Sequence, residues 1–359
     1  MISVSDLRSA FSGKRVLVTG HTGFKGSWLC AILHQIGADV FGFSIAAPDD
    51  PRHAYYALGI EATLKNSKTA LGDVRSIDRL REEMTNARPD FLFHLAAQPI
   101  VSTSYRDPYA TFCTNTIGVL NVLELLRVDN FPTTSVIITS DKCYKNKERT
   151  LPYSEMDEMG GDDPYSASKG AAELIFHSYE TSYPNLGMQH GLSTVRAGNV
   201  FGGGDWSMNR LIPDCARDLF SREEVEIRMP EAVRPWTFVV DILFGYLLLA
   251  ANLRATPQAF RGSWNFASGE TKTVADVVGI FISQLNFGRV VVNTNSSFGK
   301  EAGLLLIDPG KAERQLGWRC KFPVEVALRH TAEWYRLQRE GNDMRAHSDQ
   351  FLSSHYLHS

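Results

Sequence analysis

Short apolar runs alternate with longer segments of helical periodicity along most of this 359-residue chain. The segments between the runs space their apolar residues as an amphipathic helix does, most clearly at 109–127. Runs of strand length, rich in β-branched and aromatic residues, lie at 14–19, 39–45, 89–98, 135–139 and 192–196. Strands that alternate with helices in this way predict an α/β fold, a Rossmann-type doubly wound parallel sheet.

A glycine-rich turn, Gly20-His-Thr-Gly-Phe-Lys-Gly26, follows the first predicted strand and precedes a helix-like segment at 27–37. Glycines let such a turn approach a pyrophosphate, and the N-terminus of the next helix offers its N–H groups to the anion. The spacing is G-x-x-G-x-x-G rather than G-x-G-x-x-G, and an ordinary βα turn is the alternative. In this context we predict a dinucleotide site formed by Gly20, Thr22, Gly23, Phe24, Lys25 and Gly26.

The ends of the next strands supply further candidates for cofactor contacts. The second strand ends at 44–47 without the acidic residue that often binds the adenosine ribose, and the nearest arginine is Arg52. The sequence therefore does not distinguish NAD from NADP. Asp73 is predicted to bind the adenine amino group while Val74 packs on the ring, unless Asp73 caps the helix that begins near Ser76.

The predicted strand at 89–98 ends in small residues that permit close approach of a cofactor. Leu95, Ala96 and Ala97 are therefore predicted to line the cofactor site. His94 lies within the apolar run, and we expect it to be a core histidine rather than a ligand.

The run at 135–139 ends abruptly in Ser140, Asp141 and Lys142, as a buried parallel strand does when its carboxyl end opens into a site. Further along, Tyr165 and Lys169 are spaced i, i+4 and would lie on one face of a helix. An ammonium group lowers the pKa of a nearby hydroxyl. This strand end and helix face could therefore supply an acid, a base and a charge; a surface loop and a solvated helix face are the alternative.

The second half of the chain has shorter elements and more loops. Segments inserted after Val195 and after Trp264 are expected to form a smaller α/β substrate-binding lobe over the cofactor. We accordingly assign residues 1–195 and 234–265 to the NAD-binding Rossmann domain, 196–233 and 266–345 to the smaller lobe, and 346–359 to a partly ordered tail.

Composition narrows the classes of function. The net charge is −3 and no basic run stands out, so we expect no nucleic-acid partner. The five cysteines are scattered, without C-x-x-C or a His/Cys cluster, so neither a disulfide framework nor a metal site is indicated. No signal peptide is apparent, and the longest apolar runs are shorter than the roughly twenty residues of a membrane span. We expect a cytoplasmic protein without a membrane partner.

Several motifs together resemble the extended short-chain dehydrogenase/reductase family over roughly residues 12–335. They are Thr19-Gly-His-Thr-Gly-Phe-Lys-Gly26, Ala96-Ala-Gln98, Tyr165-x-x-x-Lys169 and Arg196-Ala-Gly-Asn199. Longer motifs resemble the nucleotide-sugar 4,6-dehydratases of this family, above all those that act on CDP-glucose. They are Thr139-Ser-Asp-Lys-Cys-Tyr144, Gly198-Asn-Val-Phe-Gly-Gly-Gly-Asp-Trp206, Arg210-Leu-Ile-Pro-Asp214 and Arg234-Pro-Trp236.

The resemblance implies a redox-neutral dehydration with tightly bound NAD. Tyr165 would take the proton of the sugar 4-hydroxyl, Lys169 would lower its pKa and bind the nicotinamide ribose, and Ser140 would share the hydrogen bond. Asp141 would be the acid that protonates the departing 6-hydroxyl, and Lys142 the base for the C5 proton or its aid. Lys142 should lower the pKa of Asp141, although a general acid must keep its proton, and burial could supply the opposite shift.

For the substrate, the resemblance places Gln98, Asn199, Arg210 and Arg234 near a nucleotide-diphosphate sugar. Two guanidinium groups suit a diphosphate. It also implies a homodimer through the helices that carry Asn115 and Tyr165, with Asn115 more concerned with a backbone kink than with chemistry.

Two departures leave the base and the sugar of the substrate open. The stretch 145–152 lacks an expected tryptophan-containing segment, and Asp241 stands where a histidine is expected. A 4-epimerase or another NAD-dependent sugar-nucleotide oxidoreductase on the same scaffold is an alternative. An epimerase would need only Tyr165, Lys169 and a hydroxyl, and would have no use for Asp141 and Lys142. A non-catalytic nucleotide-sensing protein is a second alternative, against which the intact catalytic set argues.

Overall fold

The computed structural model describes residues 1, 3–183, 185–186, 190–292 and 303–357. Part of the predicted smaller lobe, residues 293–302, lies outside this range. In chain order the strands are β1 (Arg15–Thr19), β2 (Asp39–Phe43), β3 (Phe91–His94), β4 (Thr134–Ile138), β5 (Leu192–Ala197), β6 (Val200–Phe201), β7 (Glu224–Ile227), β8 (Val233–Pro235), β9 (Thr237–Phe238), β10 (Gly262–Phe266), β11 (Thr271–Thr273) and β12 (Arg289–Val292).

Six of these strands form one parallel sheet in the order β10-β5-β4-β3-β1-β2. The chain starts in β1, runs outward through β2, and then crosses to the other half of the sheet. This order is that of a doubly wound sheet, and the carboxyl ends of the strands meet along one edge. The predicted Rossmann-type fold is therefore confirmed.

The helices that the structure describes are α1 (Leu7–Phe11), α2 (Phe24–Gln35), α3 (Ala54–Ala57), α4 (Ile77–Ala87), α5 (Val101–Arg106), α6 (Pro108–Phe112), α7 (Gly118–Val128), α8 (Pro164–Ser182), α9 (Leu211–Arg222), α10 (Val239–Ala255), α11 (Pro257–Phe260), α12 (Val274–Leu285), α13 (Gly310–Leu316), α14 (Val324–Arg339) and α15 (Met344–Leu352). None of them is long and apolar enough to cross a membrane.

Two apolar cores lie on the two faces of the sheet. Successive strand residues point to opposite faces, so Val16 and Val18 join one core while Leu17 joins the other. The first core is filled mainly by α2 and α10, and the second by α4, α7 and α8. Helix α10 is buried along almost its whole length, which explains why its sequence is apolar on every side.

The predicted helix at 109–127 is confirmed, and it contains a wide turn. Helices α6 and α7 are joined without a break by a π-helical segment, Cys113–Ile117, which contains Asn115. A π turn places one extra residue in the helix and re-aims the side chains beside it. The buried Asn115 can therefore reach across to α8, where its amide donates to Ser168 Oγ at 2.9 Å.

The smaller elements of the second half form three two-stranded sheets, β11–β8, β12–β7 and β6–β9. Isolated bridges join Leu304 to Val233 and Ile307 to Tyr153. The proposed division into a Rossmann domain and a smaller lobe stays a prediction.

The expectation of a partly ordered tail is wrong for residues 346–357. Helix α15 continues into a π-helical turn, Ser353–Leu357, and Leu352 and Tyr356 are buried in the main core. The Tyr356 hydroxyl donates to Asp241 Oδ1 of α10 at 2.8 Å. The helix was not predicted because histidines and serines separate the apolar residues of the segment, a composition that resembles a solvated tail.

Replacement of Asp241 by asparagine should stabilise the protein near pH 8 but not near pH 4. Burial raises the pKa of the Asp241 carboxyl from 3.8 to about 6. A group with a raised pKa binds its proton more tightly in the folded state, so its contribution to stability is complete below about pH 4 and is lost as the pH rises through about 6. Thermal melts of both proteins across this range measure the effect.

The melting temperature of Asp241→Asn should rise relative to that of the wild type as the pH increases from about 4 to about 6. Asp78→Asn, at a largely exposed carboxylate, serves as the control and should show little change with pH. A constant difference for Asp241→Asn at every pH would contradict the assignment.

Candidate active site

The glycine turn lies directly against the end of β3. Gly20 has a φ of +74°, and a Cβ atom there would lie 2.7 Å from the backbone N of Ala96. A Cβ atom on Gly26 would overlap the carbonyl of Gly20. Gly23 caps the N-terminus of α2, so the first N–H groups of that helix face the turn. This is the close-packed cradle that a pyrophosphate needs, and no larger residue fits at Gly20 or Gly26.

Thr22 joins the glycine turn to the end of β2. Its hydroxyl lies 2.7 Å from Ser44 Oγ and donates to the Ile45 carbonyl at 3.1 Å. The strand end where a ribose is commonly bound thus presents the buried hydroxyl of Ser44 instead of a carboxylate.

Asp73 is held by its neighbour Arg75. The two side chains form an ion pair at 2.6 Å, and hydrogen bonds from Arg75 lower the pKa of the Asp73 carboxyl. Ser76, not Asp73, is the N-cap residue of α4, so the capping alternative is not observed. Val74 is buried and its carbonyl accepts from Asn121 at 2.9 Å. The predicted contacts of Asp73 and Val74 with adenine stay predictions.

The segment after β3 is fixed by hydrogen bonds. The backbone N–H groups of Leu95 and Ala96 donate to Thr19, and that of Gln98 donates to Asn115 Oδ1 at 2.8 Å. Ala97 follows Ala96 on the same loop. These contacts keep the small side chains at the edge of the glycine turn.

The Gln98 side chain is engaged within its own loop. Its amide nitrogen donates to Thr111 Oγ1 at 2.9 Å, and its oxygen accepts from the backbone of Ile100 at 2.6 Å. The structure thus gives this residue a loop-fixing role that sequence reasoning missed, and its expected contact with substrate stays a prediction.

His94 is a core histidine, as expected. It is buried, its Nδ1 lies 2.8 Å from Thr19 Oγ1, and burial lowers its pKa to about 3. A neutral imidazole in β3 therefore adds no charge to the site.

Ser140, Asp141 and Lys142 stand together at the carboxyl end of β4. Asp141 and Lys142 lie in a short 3₁₀ turn that Ser140 caps, with Ser140 Oγ accepting from the Lys142 backbone at 3.2 Å and donating to Asp141 Oδ1 at 3.0 Å. A Cβ atom on Gly198 would overlap the Asp141 carboxyl. Asp141 therefore fits into a gap that glycine leaves in the loop after β5.

Burial raises the pKa of the Asp141 carboxyl above its usual value. The Lys142 charge opposes this rise most strongly, followed by the hydrogen bond from Ser140. Burial therefore outweighs the charge of Lys142 in setting the pKa of Asp141, because Asp141 is only 3 % exposed. A carboxyl in this environment can hold a proton that an exposed aspartate would lose.

Helix α8 brings Tyr165 and Lys169 to the same edge. The Tyr165 backbone N–H donates to Ser104 Oγ at 3.1 Å, and Lys169 Nζ donates to the Ile138 carbonyl of β4 at 3.4 Å. Burial raises the pKa of Tyr165 to about 12, opposed by the hydroxyl of Ser140, and lowers the pKa of Lys169 to about 8. The structure therefore assembles all five predicted catalytic residues around one strand end and one helix face.

Cationic groups surround this edge. Arg210 Nη1 lies 3.1 Å from Asp205 Oδ2, and Arg234 Nη1 donates to the carbonyls of Val233 and Gly303. The charge of Arg210 lowers the pKa of Tyr165, and the charge of Arg234 lowers the pKa of Asp141. Both guanidinium groups therefore lie near the five predicted catalytic residues.

Lys25 of the glycine turn adds a further charge to this group. Burial, followed by Arg210 and Lys169, lowers its pKa to about 7. The region is suited to an anion with several oxygens. Asn199 lies beside it, where its carbonyl accepts from the Thr237 backbone at 3.3 Å.

The glycines of the motif at 198–206 serve the packing of the protein itself. A Cβ atom on Gly202 would lie 2.5 Å from Val239, one on Gly203 would overlap the Trp334 ring, and one on Gly204 would lie 2.9 Å from Ala54. These three glycines pack against side chains of α10, α14 and α3.

Two buried carboxylates near the site were not predicted. Asp205 accepts from Arg210, and its own carbonyl accepts from the Tyr335 hydroxyl, so it fixes the direction of that arginine. Glu173 lies on α8 one turn beyond Lys169 and pairs with Arg196. The spacing i, i+4, i+8 of Tyr165, Lys169 and Glu173 was the signal available in the sequence.

Comparison with known proteins gives consistent results. A family described as GDP-mannose 4,6 dehydratase matches residues 17–331. The CDP-glucose 4,6-dehydratase of Salmonella typhimurium is 38% identical over 343 residues, which cover 94% of each chain.

Two solved structures share the fold. The epimerase Mth375 of Methanothermobacter thermautotrophicus has a TM-score of 0.79 at 24% identity, and covers 96% of this chain and 97% of its own. The dTDP-glucose 4,6-dehydratase of Bacillus anthracis, in complex with NAD, has a TM-score of 0.72 at 21% identity and covers 90% and 97%.

Replacement of Gly20 by alanine should weaken dinucleotide binding strongly. The new methyl group would meet the backbone of Ala96 and force the cradle open. Gly13→Ala is a matched control, because Gly13 also has a positive φ, +69°, but has nothing within 4 Å of its Cβ position. Calorimetric titration with NAD should give at least about tenfold weaker binding for Gly20→Ala alone. Equal affinities of the two variants would contradict the proposed cradle.

Proposed function

The chain belongs to the GDP-mannose 4,6 dehydratase family, within the extended short-chain dehydrogenases/reductases, and we propose that it is a nucleotide-sugar 4,6-dehydratase. Its substrate would be CDP-glucose and its products CDP-4-keto-6-deoxyglucose and water. The 38% identity to a CDP-glucose 4,6-dehydratase supports this choice. The observation that carries the proposal is the buried Asp141, which favours its protonated form beside Ser140 and Tyr165.

NAD is the proposed cofactor, and the described residues fit it. The N-terminus of α2, the small residues after β3 and the close-packed Gly20 and Gly26 leave backbone N–H groups and space for a pyrophosphate. Bound NAD would supply the redox chemistry by taking a hydride from C4 of the sugar and returning it to C6. The strand end that carries Ser44 has neither an acidic nor a basic residue, so it does not select between NAD and NADP.

Tyr165 is the proposed base of the first step. It removes the proton of the sugar 4-hydroxyl while Ser140 shares the hydrogen bond to that oxygen. The high pKa of the phenol means that it needs a cation nearby, and Lys169, with a pKa of about 8, is mostly protonated at neutral pH. Lys169 also binds the nicotinamide ribose in this proposal.

Asp141 and Lys142 serve the second step. The 4-keto group acidifies the C5 proton. Lys142 removes that proton if its amine is neutral, or assists its removal as an ammonium, and Asp141 gives its own proton to the departing 6-hydroxyl, which leaves as water. The raised pKa of Asp141 is what general-acid catalysis requires.

A nucleotide diphosphate would bind among the cationic groups. Arg210 and Arg234 are the proposed diphosphate ligands, with Asn199 and Gln98 beside the substrate. Asp205 supports this arrangement, because it holds the guanidinium of Arg210 in one direction.

A 4-epimerase is the second candidate. The likeness to epimerase Mth375 favours it, since Tyr165, Lys169 and Ser140 would suffice for 4-oxidation. It leaves the buried Asp141, whose pKa is raised by burial, without a role.

A homodimer is also proposed. Apolar side chains are exposed around the adjoining helices α5, α6 and α8: Tyr105, Tyr109, Phe112, Ile117 and Leu174. A cluster of this kind is typical of an interface. Sedimentation should give twice the chain mass of 40.0 kDa; a monomer at micromolar concentration would contradict the proposal.

A cytoplasmic location is proposed on the state of the cysteines. All five are unpaired. Unpaired cysteines are typical of a reducing compartment.

The proposed function is tested with a panel of CDP-, dTDP-, GDP- and UDP-sugars, incubated with the protein without added reductant. CDP-glucose is expected to lose one water, as measured by mass spectrometry, while the cofactor is not consumed. Release and identification of the bound cofactor after denaturation decides between NAD and NADP. Isomerisation at C4 without loss of water would favour the epimerase.

Replacement of Asp141 by asparagine should stop the loss of water but preserve 4-oxidation. Asparagine keeps the packing against Gly198 but has no proton to give to the 6-hydroxyl. Product formation should fall by about 10²–10⁴-fold, while absorbance of the reduced cofactor at 340 nm rises after substrate is added. Tyr165→Phe is the control and should lose both signals. A normal rate of 6-deoxy product from Asp141→Asn would exclude Asp141 as the acid.

A further inference from the structure

Helix α8 carries a third buried polar side chain on the face that holds the proposed catalytic pair. Tyr165, Lys169 and Glu173 lie at i, i+4 and i+8, and each is less than a tenth exposed. Tyr165 and Lys169 face the strand end with Ser140. Glu173 lies one turn further along the helix, against the sheet.

The Glu173 carboxylate is bound by three neighbouring segments of the sheet. Arg196 of β5 contacts Oε2 at 2.6 Å, and both side chains are almost completely buried. Thr139, directly after β4, donates to Oε1 at 2.5 Å. Further hydroxyl groups, of Thr194 on β5 and Ser263 on β10, donate to Oε2 at 3.0 and 3.2 Å.

Arg196 extends this network to the turn that carries the proposed acid. Its Nη1 atom donates to the Tyr144 hydroxyl at 2.8 Å, and that hydroxyl donates to Asn265 Oδ1 of β10 at 2.7 Å. Tyr144 is the residue that ends the 3₁₀ turn of Asp141 and Lys142. The network therefore joins the back of the catalytic turn to the back of the catalytic helix.

We propose that Glu173 is a positioning residue: clamped by Arg196, it holds the Tyr165–Lys169 face of α8 at a fixed distance from Ser140 and Asp141. The expected effect on catalysis rests on the proposed function. A buried ion pair gives little net stability compared with apolar residues of similar size, because both charges lose their water. A pair with this many directed hydrogen bonds is suited instead to fixing geometry, where misplacement by about 1 Å can cost about 10²-fold in rate.

Glu173 also affects the pKa of Lys169. Burial lowers the pKa of the Lys169 ammonium, and Cys143 and then the Glu173 carboxylate oppose that fall. The other titratable groups around Lys169 are Cys143 after β4, Lys25 of α2 and His94 of β3, together with Tyr165 on its own helix. Burial keeps the Cys143 thiol neutral, so Glu173 is the anion of this group that favours the protonated form of Lys169.

The test compares Glu173→Gln with Glu180→Gln. Both remove a carboxylate of α8 that pairs with an arginine, but the Glu180–Arg261 pair is more exposed and lies further from the site. Glu173→Gln should lower kcat about 10–100-fold with a smaller change in KM. The alkaline limb of its pH–rate profile should move to lower pH by about one unit. Glu180→Gln should leave kcat and the profile unchanged.

Two further measurements keep the test independent of folding and of the assigned reaction. The double variant Glu173→Gln, Arg196→Gln replaces the ion pair by a neutral pair. It should recover thermal stability and part of the pH profile, because the unpaired Arg196 charge is removed as well, while kcat stays low. The pKa of Lys169 itself, followed by NMR of ¹³C-labelled lysine and assigned with Lys169→Met, should fall in Glu173→Gln without any turnover.

An unchanged Lys169 pKa and an unchanged profile in a folded Glu173→Gln protein would overturn the inference, as would full recovery of kcat and profile in the double variant. Failure of the wild-type protein to dehydrate any nucleotide sugar would overturn the proposed function instead, and the NMR titration would still decide the role of Glu173.

Discussion

Removal of ionisable groups from water at the carboxyl edge of the sheet is the constraint on which the proposed site depends. Burial raises the pKa of Asp141 and Tyr165 and lowers that of Lys25 and Lys169. Each charged form is made less favourable, so each group is brought nearer to a state in which it can exchange a proton or be neutralised by a partner. The same four residues at a surface would be ordinary solvated side chains.

This burial is possible only because backbones approach one another closely at a few positions. Gly20 lets the first turn lie on Ala96, and Gly198 leaves the gap that receives the Asp141 carboxyl. Gly203 meets the ring of Trp334, which in turn donates to Ser348 of the C-terminal helix. The C-terminal segment and the catalytic edge are therefore parts of one packed unit, although they are far apart in the sequence.

Patterns between neighbouring residues predicted the sheet, the long helices and the catalytic stretch, because strand, turn and helix signals act over a few residues. Contacts between distant segments could not be predicted. The pairing of Tyr356 with Asp241 depends on where α15 meets α10, and no local pattern carries that information. A glycine in a sequence likewise does not say why it is needed: Gly13 has open space around its Cβ position, whereas at Gly203 a tryptophan fills that space.

The choice between the two candidate reactions depends on one carboxyl group. Tyr165, Lys169 and Ser140 would suffice for oxidation at C4, which both reactions would share. In the proposed dehydration Asp141 protonates the leaving oxygen, and a charged Asp141 could not do this. Its burial against Gly198 disfavours the charged form despite the adjacent Lys142, and the hydrogen bond with Ser140 directs it toward the same edge as Tyr165. A protein that only epimerised its sugar would bear the cost of burying this acid without any use for it, and the dehydration is therefore the reaction that accounts for the whole site.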